Sequence, residues 1–443
     1  MSNTFHRNLK QTVPVVVSGK GIYLTDAQGK RYIDACGGAA VACLGHSHPR
    51  ITEAVHRQVD RLSYASTVFF TTSDAEALAS HLAARSPGTL NWSFFASGGS
   101  EAIESAMKCA RQYFVEIGQP QRQHFISRTQ GYHGNTLGAL SLSGIAVRRA
   151  PYLPILLPTT HHVSPCYAYR HQLPSESEEQ FATRLADELE AKILEIGADK
   201  VIGFFAETVV GAALGCVPPV KTYFQKIRAV CDKYGVLLII DEVMSGMGRT
   251  GPLFACEPEG IAPDILVMAK GLGGGYQPIG CMMVNARIHD ALVNGSGQFV
   301  NGYTYTGHPL ACAVALEVQK VIEEDHLLDN VKVRGAQLRA RLEATVGQHP
   351  NVGNIRGRGL FQGIEFVADR ASKTPFAPHQ LINARIKAEA MQRGLLVYPT
   401  GGTADGVSGD HVILAPPYIC TAQEIDEIAD LFNATVNSVF AAR

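Results

Sequence analysis

The stretch Asp264–Gly280, DILVMAKGLGGGYQPIG, decides how this chain is read. An apolar run, Ile265 to Ala269, ends on Lys270 and runs straight into a cluster of glycines. A short apolar run bounded by turn residues reads as a buried strand. Lysine is rarely buried without a partner. Taken alone, Lys270 is equally a surface residue whose stem lies along apolar neighbours while its head stays in water.

The same pattern recurs along the chain. Strands are expected at Trp92–Ala96, His124–Ser127, Val201–Phe205, Val236–Ile240 and Ile265–Ala269, with helical stretches between them. In SEAIESAMKCARQYF, Ile103, Ala106, Met107 and Ala110 fall at i, i+3, i+4 and i+7, one apolar helix face. Near-continuous apolar strands suit a mainly parallel sheet covered on both faces. This is an α/β class reading, with a large domain over residues 61–324. Before about residue 60 and after about 325 the chain turns to alternating, turn-rich stretches such as GIYLTDAQGKRYID and GLFQGIEFVAD. Residues 1–60 and 325–443 are therefore expected to form one smaller, discontinuous α+β domain.

In open α/β sheets, ligands bind beyond the carboxyl ends of the strands. WSFFA is followed by Ser97-Gly98-Gly99-Ser100, and HFIS leads to Gly131-Tyr132-His133-Gly134. VIGFFA ends at Glu207, VLLII at Asp241 and ILVMA at Lys270. Each has an ordinary reading. SGGSEA can be a plain turn, Asp241-Glu242 a helix start or metal ligands, His133 a structural histidine, and Glu207 an ion-pair partner. Together they ask for a ligand wanting a phosphate cradle, an aromatic neighbour, a buried carboxylate and a lysine. Glycines and a helix N-terminus suit phosphate. Pyridoxal 5'-phosphate meets all four requirements, since its aldehyde condenses with a lysine amine and its ring nitrogen pairs with an aspartate. No HExxH, GxxxxGK[ST] or strand-linked GxGxxG is present to support a metalloprotease or nucleotide reading.

Composition narrows the field further. The 443 residues carry a formal charge of −1, 46% hydrophobic and 18% charged residues. Without a run of like charge there is no electrostatic footprint for nucleic acid or anionic membrane. No apolar stretch reaches membrane-spanning length. Ten cysteines occur without a C-x-x-C pair, and MSNTFHRNLKQTVP lacks the apolar core of a secretory signal. A cytoplasmic protein with reduced thiols and no bound metal is expected.

Six segments together resemble the class III (ω-) aminotransferases, which are pyridoxal-phosphate enzymes of fold type I. They are GHSHPRI (Gly45–Ile51), SGGSEAIESAMKCAR (Ser97–Arg111), GYHGNTLGALSLSG (Gly131–Gly144), IIDEVMSGMGRTG (Ile239–Gly251), MAKGLGGGYQPIG (Met268–Gly280) and TYTGHPLACA (Thr304–Ala313). The resemblance covers nearly the whole chain. It implies that Lys270 forms the Schiff base with the cofactor and then shuttles the substrate proton. It implies that Asp241 pairs with the pyridine nitrogen, and that Val243 and Tyr132 flank the ring, with His133 and Glu207 in the same site. Gly99 and Ser100 would hold the phosphate. Thr304 would reach the phosphate of a neighbouring subunit, so a homodimer with shared sites is implied. The implied reaction moves an amino group from an amine or ω-amino donor to a 2-oxo acid such as pyruvate or 2-oxoglutarate, by a ping-pong route. An aminomutase or decarboxylating transaminase on the same fold is the alternative, and a non-catalytic cofactor-binding protein is a third.

Two departures bear on the substrate. Members handling amino acids often carry arginine in the C-terminal strand, where HVILAPPYI here has Ile413. Others place a mobile arginine in the preceding loop, where GGTADGVSGD has Ser408. Either the substrate has no carboxylate at the usual place or another arginine binds it. Met244 stands where several branches have glutamine. GGAAVACLG and the aromatics Tyr64, Phe69 and Phe70 are expected at the substrate entrance, or, for the aromatics, in a dimer interface.

Overall fold

The computed structural model describes residues 3–441. Near the amino terminus, β1 (Val16–Lys20), β2 (Tyr23–Asp26) and β3 (Arg31–Asp34) form an antiparallel sheet. The central sheet follows: β4 (Leu90–Ala96), β5 (His124–Arg128), β6 (Thr160–Val163), β7 (Val201–Glu207), β8 (Leu237–Asp241), β9 (Ile265–Met268) and β10 (Gly280–Asn285). Their order across the sheet is β4-β10-β9-β8-β7-β5-β6. A third sheet holds β11 (Val352–Arg358), β12 (Phe361–Phe366), β14 (Tyr398–Gly401) and β15 (Asp410–Leu414). Between β12 and β14, the short β13 (Leu395–Leu396) runs parallel to β3 and joins the two chain ends.

The central strands read as unbroken apolar runs because both of their faces are covered. Phe204, Ala206, Leu238, Ile240, Leu266 and Met268 enter one core, beneath helices Glu178–Ile196 and Tyr223–Tyr234. Their neighbours Phe205, Leu237, Ile239, Ile265 and Val267 enter another, beneath helix Gly99–Glu116. This is the period-2 alternation of a strand with both faces buried.

All strands of this sheet are parallel except β10, which runs antiparallel between β4 and β9. β10 lies outside the strands expected from the sequence, because its Cys281-Met282-Met283 core lacks the β-branched residues that mark strands. The edge strand β6 was not foreseen either. β10 has a positional consequence: a β-carbon at Gly280 would lie 2.4 Å from the Gly98 carbonyl oxygen, so only glycine lets the Gly98 turn settle there.

Helix Pro309–Glu324 serves two cores at once. Its Ala311, Cys312 and Ala315 join the central core, while Val314, Val318 and Val321 join a core built from both chain ends. The two bodies also meet where Gly363 of β12 faces the loop after β7, its would-be β-carbon 2.0 Å from the Gly215 carbonyl oxygen. Gly363→Ala is expected to cost about 1–3 kcal/mol through overpacking against rigid backbone. Thermal unfolding would show a lowered midpoint; a midpoint equal to the wild type would mean that this joint opens freely.

Candidate active site

The parallel strands point their carboxyl ends to one edge, and the polar residues that follow them meet there. In the β7–β8 register Glu207 pairs directly with Asp241, and Asp241 lies opposite Val267 of β9, three residues before Lys270. They open onto a cavity of about 400 Å³ lined by Gly98, Gly99, Ser100, Tyr132, His133, Glu207, Asp241, Val243 and Lys270. Val41, Ala212, Met244 and the Gln277-Pro278-Ile279 segment complete its walls.

One end of the cavity is made for an anion. Helix Gly99–Glu116 starts at Gly98 with no side-chain cap, so the N–H groups of its first turn are left for a ligand. The close fit here demands glycine. A β-carbon at Gly99 would lie 2.9 Å from Val243 Cγ1, and one at Gly134 (φ +135°) would lie 2.5 Å from Ser100 Oγ. The Ser100 hydroxyl accepts the Asn135 N–H at 3.1 Å.

At the floor, Asp241 Oδ2 meets His133 Nδ1 at 2.8 Å, and Oδ1 accepts the Val243 N–H at 2.9 Å. His133 therefore orients the aspartate. Glu207 is buried, and burial raises its pKa. Its carboxylate accepts the N–H of Tyr132 at 3.0 Å and of Gly211 at 2.9 Å. It fixes the backbone of the aromatic residue, and among the described residues no arginine side chain ion-pairs with it. Lys270 keeps partial exposure to the cavity. Burial of its ammonium lowers its pKa, an effect the carboxylates of Asp241 and Glu207 oppose.

Thr304 is exposed outside the cavity, and its carbonyl accepts the Tyr64 hydroxyl at 2.9 Å. Tyr64, Phe69 and Phe70 are exposed and absent from the cavity lining. Of the GGAAVACLG stretch, Val41 lines the cavity. Ile413 is fully buried, packed with Ala40, Val209, Ala212, Met244 and Phe361 in an apolar wall behind the lining. Glu242 turns away from the cavity: Thr208 Oγ1 (3.0 Å) and the N–H groups of Ala255 and Cys256 (both 2.7 Å) donate to its carboxylate. Burial pushes its pKa up to about 7 against those hydrogen bonds.

Sequence reasoning missed the Gln277-Pro278-Ile279 wall, although it directly follows the glycines after Lys270. It also missed that His133 contacts Asp241 itself. The residues present fit pyridoxal 5'-phosphate. The uncapped helix end suits its phosphate, Asp241 its ring nitrogen, Val243 and Tyr132 its two faces, and Lys270 its aldehyde. Gly134→Ala is expected to displace the Ser100 hydroxyl and weaken cofactor binding about tenfold, or ~1.4 kcal/mol. Equilibrium dialysis against pyridoxal phosphate measures this; unchanged affinity would remove Ser100 and Gly134 from the cradle.

Comparison with known proteins points the same way. The family described as aminotransferase class-III matches residues 4–436. An uncharacterized aminotransferase of Schizosaccharomyces pombe is 45% identical, covering 99% of this chain and 95% of its own. A gamma-aminobutyrate transaminase of Oryza sativa is 38% identical over 94% of this chain and 80% of its own. Among solved structures, the omega transaminase of Pseudomonas jessenii in complex with PMP superposes with a TM-score of 0.91 at 36% identity, covering 97% of this chain and 93% of that one. A thermostable (S)-enantioselective omega-transaminase of Thermomicrobium roseum gives 0.90 at 35% identity, with coverage of 97% and 93%.

Proposed function

The chain belongs to the class III aminotransferases and depends on pyridoxal 5'-phosphate; from this premise we propose that it moves an amino group from an amine or ω-amino donor to a 2-oxo acid such as pyruvate or 2-oxoglutarate, in two half-reactions of ping-pong type. The observation that carries the reading is the meeting of Lys270, Asp241 and the glycine-lined helix end in one cavity. When bound there, pyridoxal phosphate supplies the carbonyl that receives the amino group and a ring that withdraws electrons from the substrate.

The chain's own residues do the rest. Lys270 Nζ would hold the cofactor at its aldehyde carbon and, once released, would take up the proton that leaves the donor's amine-bearing carbon. Its lowered pKa leaves a larger share of free amine near neutrality than an exposed lysine has, as proton abstraction requires. Asp241, oriented by His133 and the Val243 N–H, would supply the carboxylate that pairs with the cofactor's ring nitrogen. Glu207 fixes the backbone of Tyr132, so that its ring covers one face of the site. Ala212 and Met244, backed by the buried Ile413, offer the donor's hydrocarbon part an apolar surface.

We also infer a homodimer in which Thr304, exposed beside Tyr64 and Tyr305, completes the phosphate cradle of the neighbouring subunit. The ten cysteines are all free thiols, which suits a cytoplasmic location.

The test is the visible spectrum of the purified holoenzyme under a panel of amine donors without acceptor. Loss of the lysine–cofactor band on adding a donor, and its return with pyruvate or 2-oxoglutarate, supports the two half-reactions. A band that no donor alters would defeat the proposal. Lys270→Ala is expected to lower kcat at least about a hundredfold, the lower bound for losing a positioned general base. Retention of more than a tenth of wild-type turnover would assign proton transfer to another group.

A further inference from the structure

A second cavity, of about 410 Å³, shares no lining residue with the one that holds Lys270. It lies where helix Ser73–Ala83 and the start of helix Leu327–Thr345 meet the end of helix Pro309–Glu324, with Leu253 of the loop after β8 on a fourth side. Among its polar lining residues Gln319 alone is buried, at 2% exposure. The Gln319 Nε2 donates to the carbonyls of Gly271 (3.1 Å) and Leu272 (3.0 Å), the two residues that follow Lys270. Two carbonyl acceptors fix the nitrogen on that side, so Oε1 turns away from them, and it has no hydrogen-bond partner among the described residues. A buried amide oxygen without a donor is costly. The cavity that Gln319 lines is where a donor to that oxygen can be brought.

A separate feature calls for a negative end on the same ligand. Helix Leu327–Thr345 begins at His326, which lines the cavity in a left-handed conformation (φ +53°) and gives the helix no side-chain cap. The N–H groups of its first turn are left for an anionic group. The fixed charges of the rim balance one another. Arg85 donates to both Glu323 oxygens, at 2.8 and 2.6 Å, and Lys332 pairs with Asp329 at 3.2 Å. His81 is held toward its neutral form, by burial first and then by Arg85. With two cations against two carboxylates, a lone anion or a lone cation gains little, whereas a zwitterion sets each end against the opposite sign. Leu253, Ile322 and Leu328 make the rest of the wall apolar.

We propose that this cavity binds an α-amino acid with an apolar side chain, at a site separate from the catalytic one. The ammonium group donates to Gln319 Oε1 and lies beside Glu323, one turn along the same helix face. The carboxylate takes the N–H groups at the start of helix Leu327–Thr345, near Lys332, and the side chain covers Leu253, Ile322 and Leu328.

Occupancy of this site is felt at Lys270. A hydrogen bond accepted by an amide oxygen polarises the amide and strengthens the bonds that its N–H groups donate. Gln319 then grips Gly271 and Leu272 more firmly, and with them the turn in which Lys270 has φ +46°. Amination of a 2-oxo acid yields an α-amino acid, so under the proposed reaction the site reads product; that step alone rests on the aminotransferase reading.

The experiment titrates holoenzyme calorimetrically with α-methylleucine, which has no hydrogen on its amine-bearing carbon and cannot be transaminated. Two analogues each lack one charge: 2,4-dimethylpentanoate has no amine, and 2,4-dimethylpentan-2-amine has no carboxylate. Wild type is compared with Glu323→Gln and Lys332→Gln. Wild type is expected to bind α-methylleucine saturably and each analogue about fivefold or more weakly, the scale of a lost charge-assisted hydrogen bond. Each variant should weaken α-methylleucine by a similar factor. Saturating α-methylleucine should also move the pH midpoint of the visible lysine–cofactor band in wild type, and move it less in Lys332→Gln at the same concentration. No binding by wild type, binding that neither variant weakens, or an analogue bound as tightly as the zwitterion would overturn the site. Binding with an unmoved midpoint would overturn the link through Gln319 to Lys270. Failure of every amine donor, with α-methylleucine binding still sensitive to Glu323 and Lys332, would count against the aminotransferase reading alone.

Discussion

A lysine ammonium held in the cavity at the carboxyl edge of a doubly covered sheet, where two carboxylates act on its charge, is the constraint around which this molecule is arranged. An isolated charge there would be costly, and Asp241 adds to the cost that burial sets on the Glu207 carboxylate. Lys270 is drawn toward the neutral amine by burial, while Glu207 and Asp241 favour its charged form. The carboxylates are steadied by N–H groups of Tyr132, Gly211 and Val243 and by His133. The balance requires the parallel register that sets Glu207 against Asp241, and hence a sheet buried on both faces.

The cavity is closed by the chain ends, and buried polar groups fasten them to the sheet. Arg356 of β11 donates to the carbonyls of Leu214 and Gly215, in the loop after β7, and pairs with Glu365 of β12. The Tyr167 hydroxyl and Arg170 meet the same Glu365 carboxylate from the large body. Arg249, in the loop after β8, donates to the carbonyls of Leu360 and Pro416. A network of this kind adds little as net energy when satisfied, yet is expensive to break. It locks the apolar wall of Met244, Phe361 and Ile413 in one position relative to Lys270.

The sequence carried much of this because periodicity and strand ends are local signals. The runs ending at Ala96, Glu207, Asp241 and Lys270 announce both the sheet and its functional edge, and glycines mark where backbone must come close. What was hidden is non-local. Nothing in Cys281-Met282-Met283 says that β10 reverses direction, and nothing in Asp241-Glu242 says which carboxylate faces the cavity. The answer for Glu242 lies at Ala255 and Cys256, whose N–H groups claim it. Likewise, Arg148 and Arg149 are indistinguishable until the fold stacks the first on Tyr132 and half-buries the second beside His162.

Backbone strain follows the same geography. Left-handed conformations in residues other than glycine cost energy, and they persist where surrounding contacts over-determine them. Lys270 has φ +46°, and Ala40, Gln130, Cys216 and Met247 have φ of +54° to +59°. Ala40 and Cys216 belong to the apolar wall, and Gln130 donates to the carbonyls of Gly402 and Thr403 in the loop before β15. Met247 presses on Gly271, where a β-carbon would lie 3.2 Å from the Met247 side chain. The turn at Lys270 is held from both sides. Its carbonyl accepts the N–H groups of Gly273 and Gly274, and Gln319 of helix Pro309–Glu324 donates to the carbonyls of Gly271 and Leu272. A relaxed turn would carry Lys270 off the line set by β9. The strain is therefore the cost of keeping its side chain in the cavity it shares with Asp241 and Glu207, and the helix shared by both cores is what bears it.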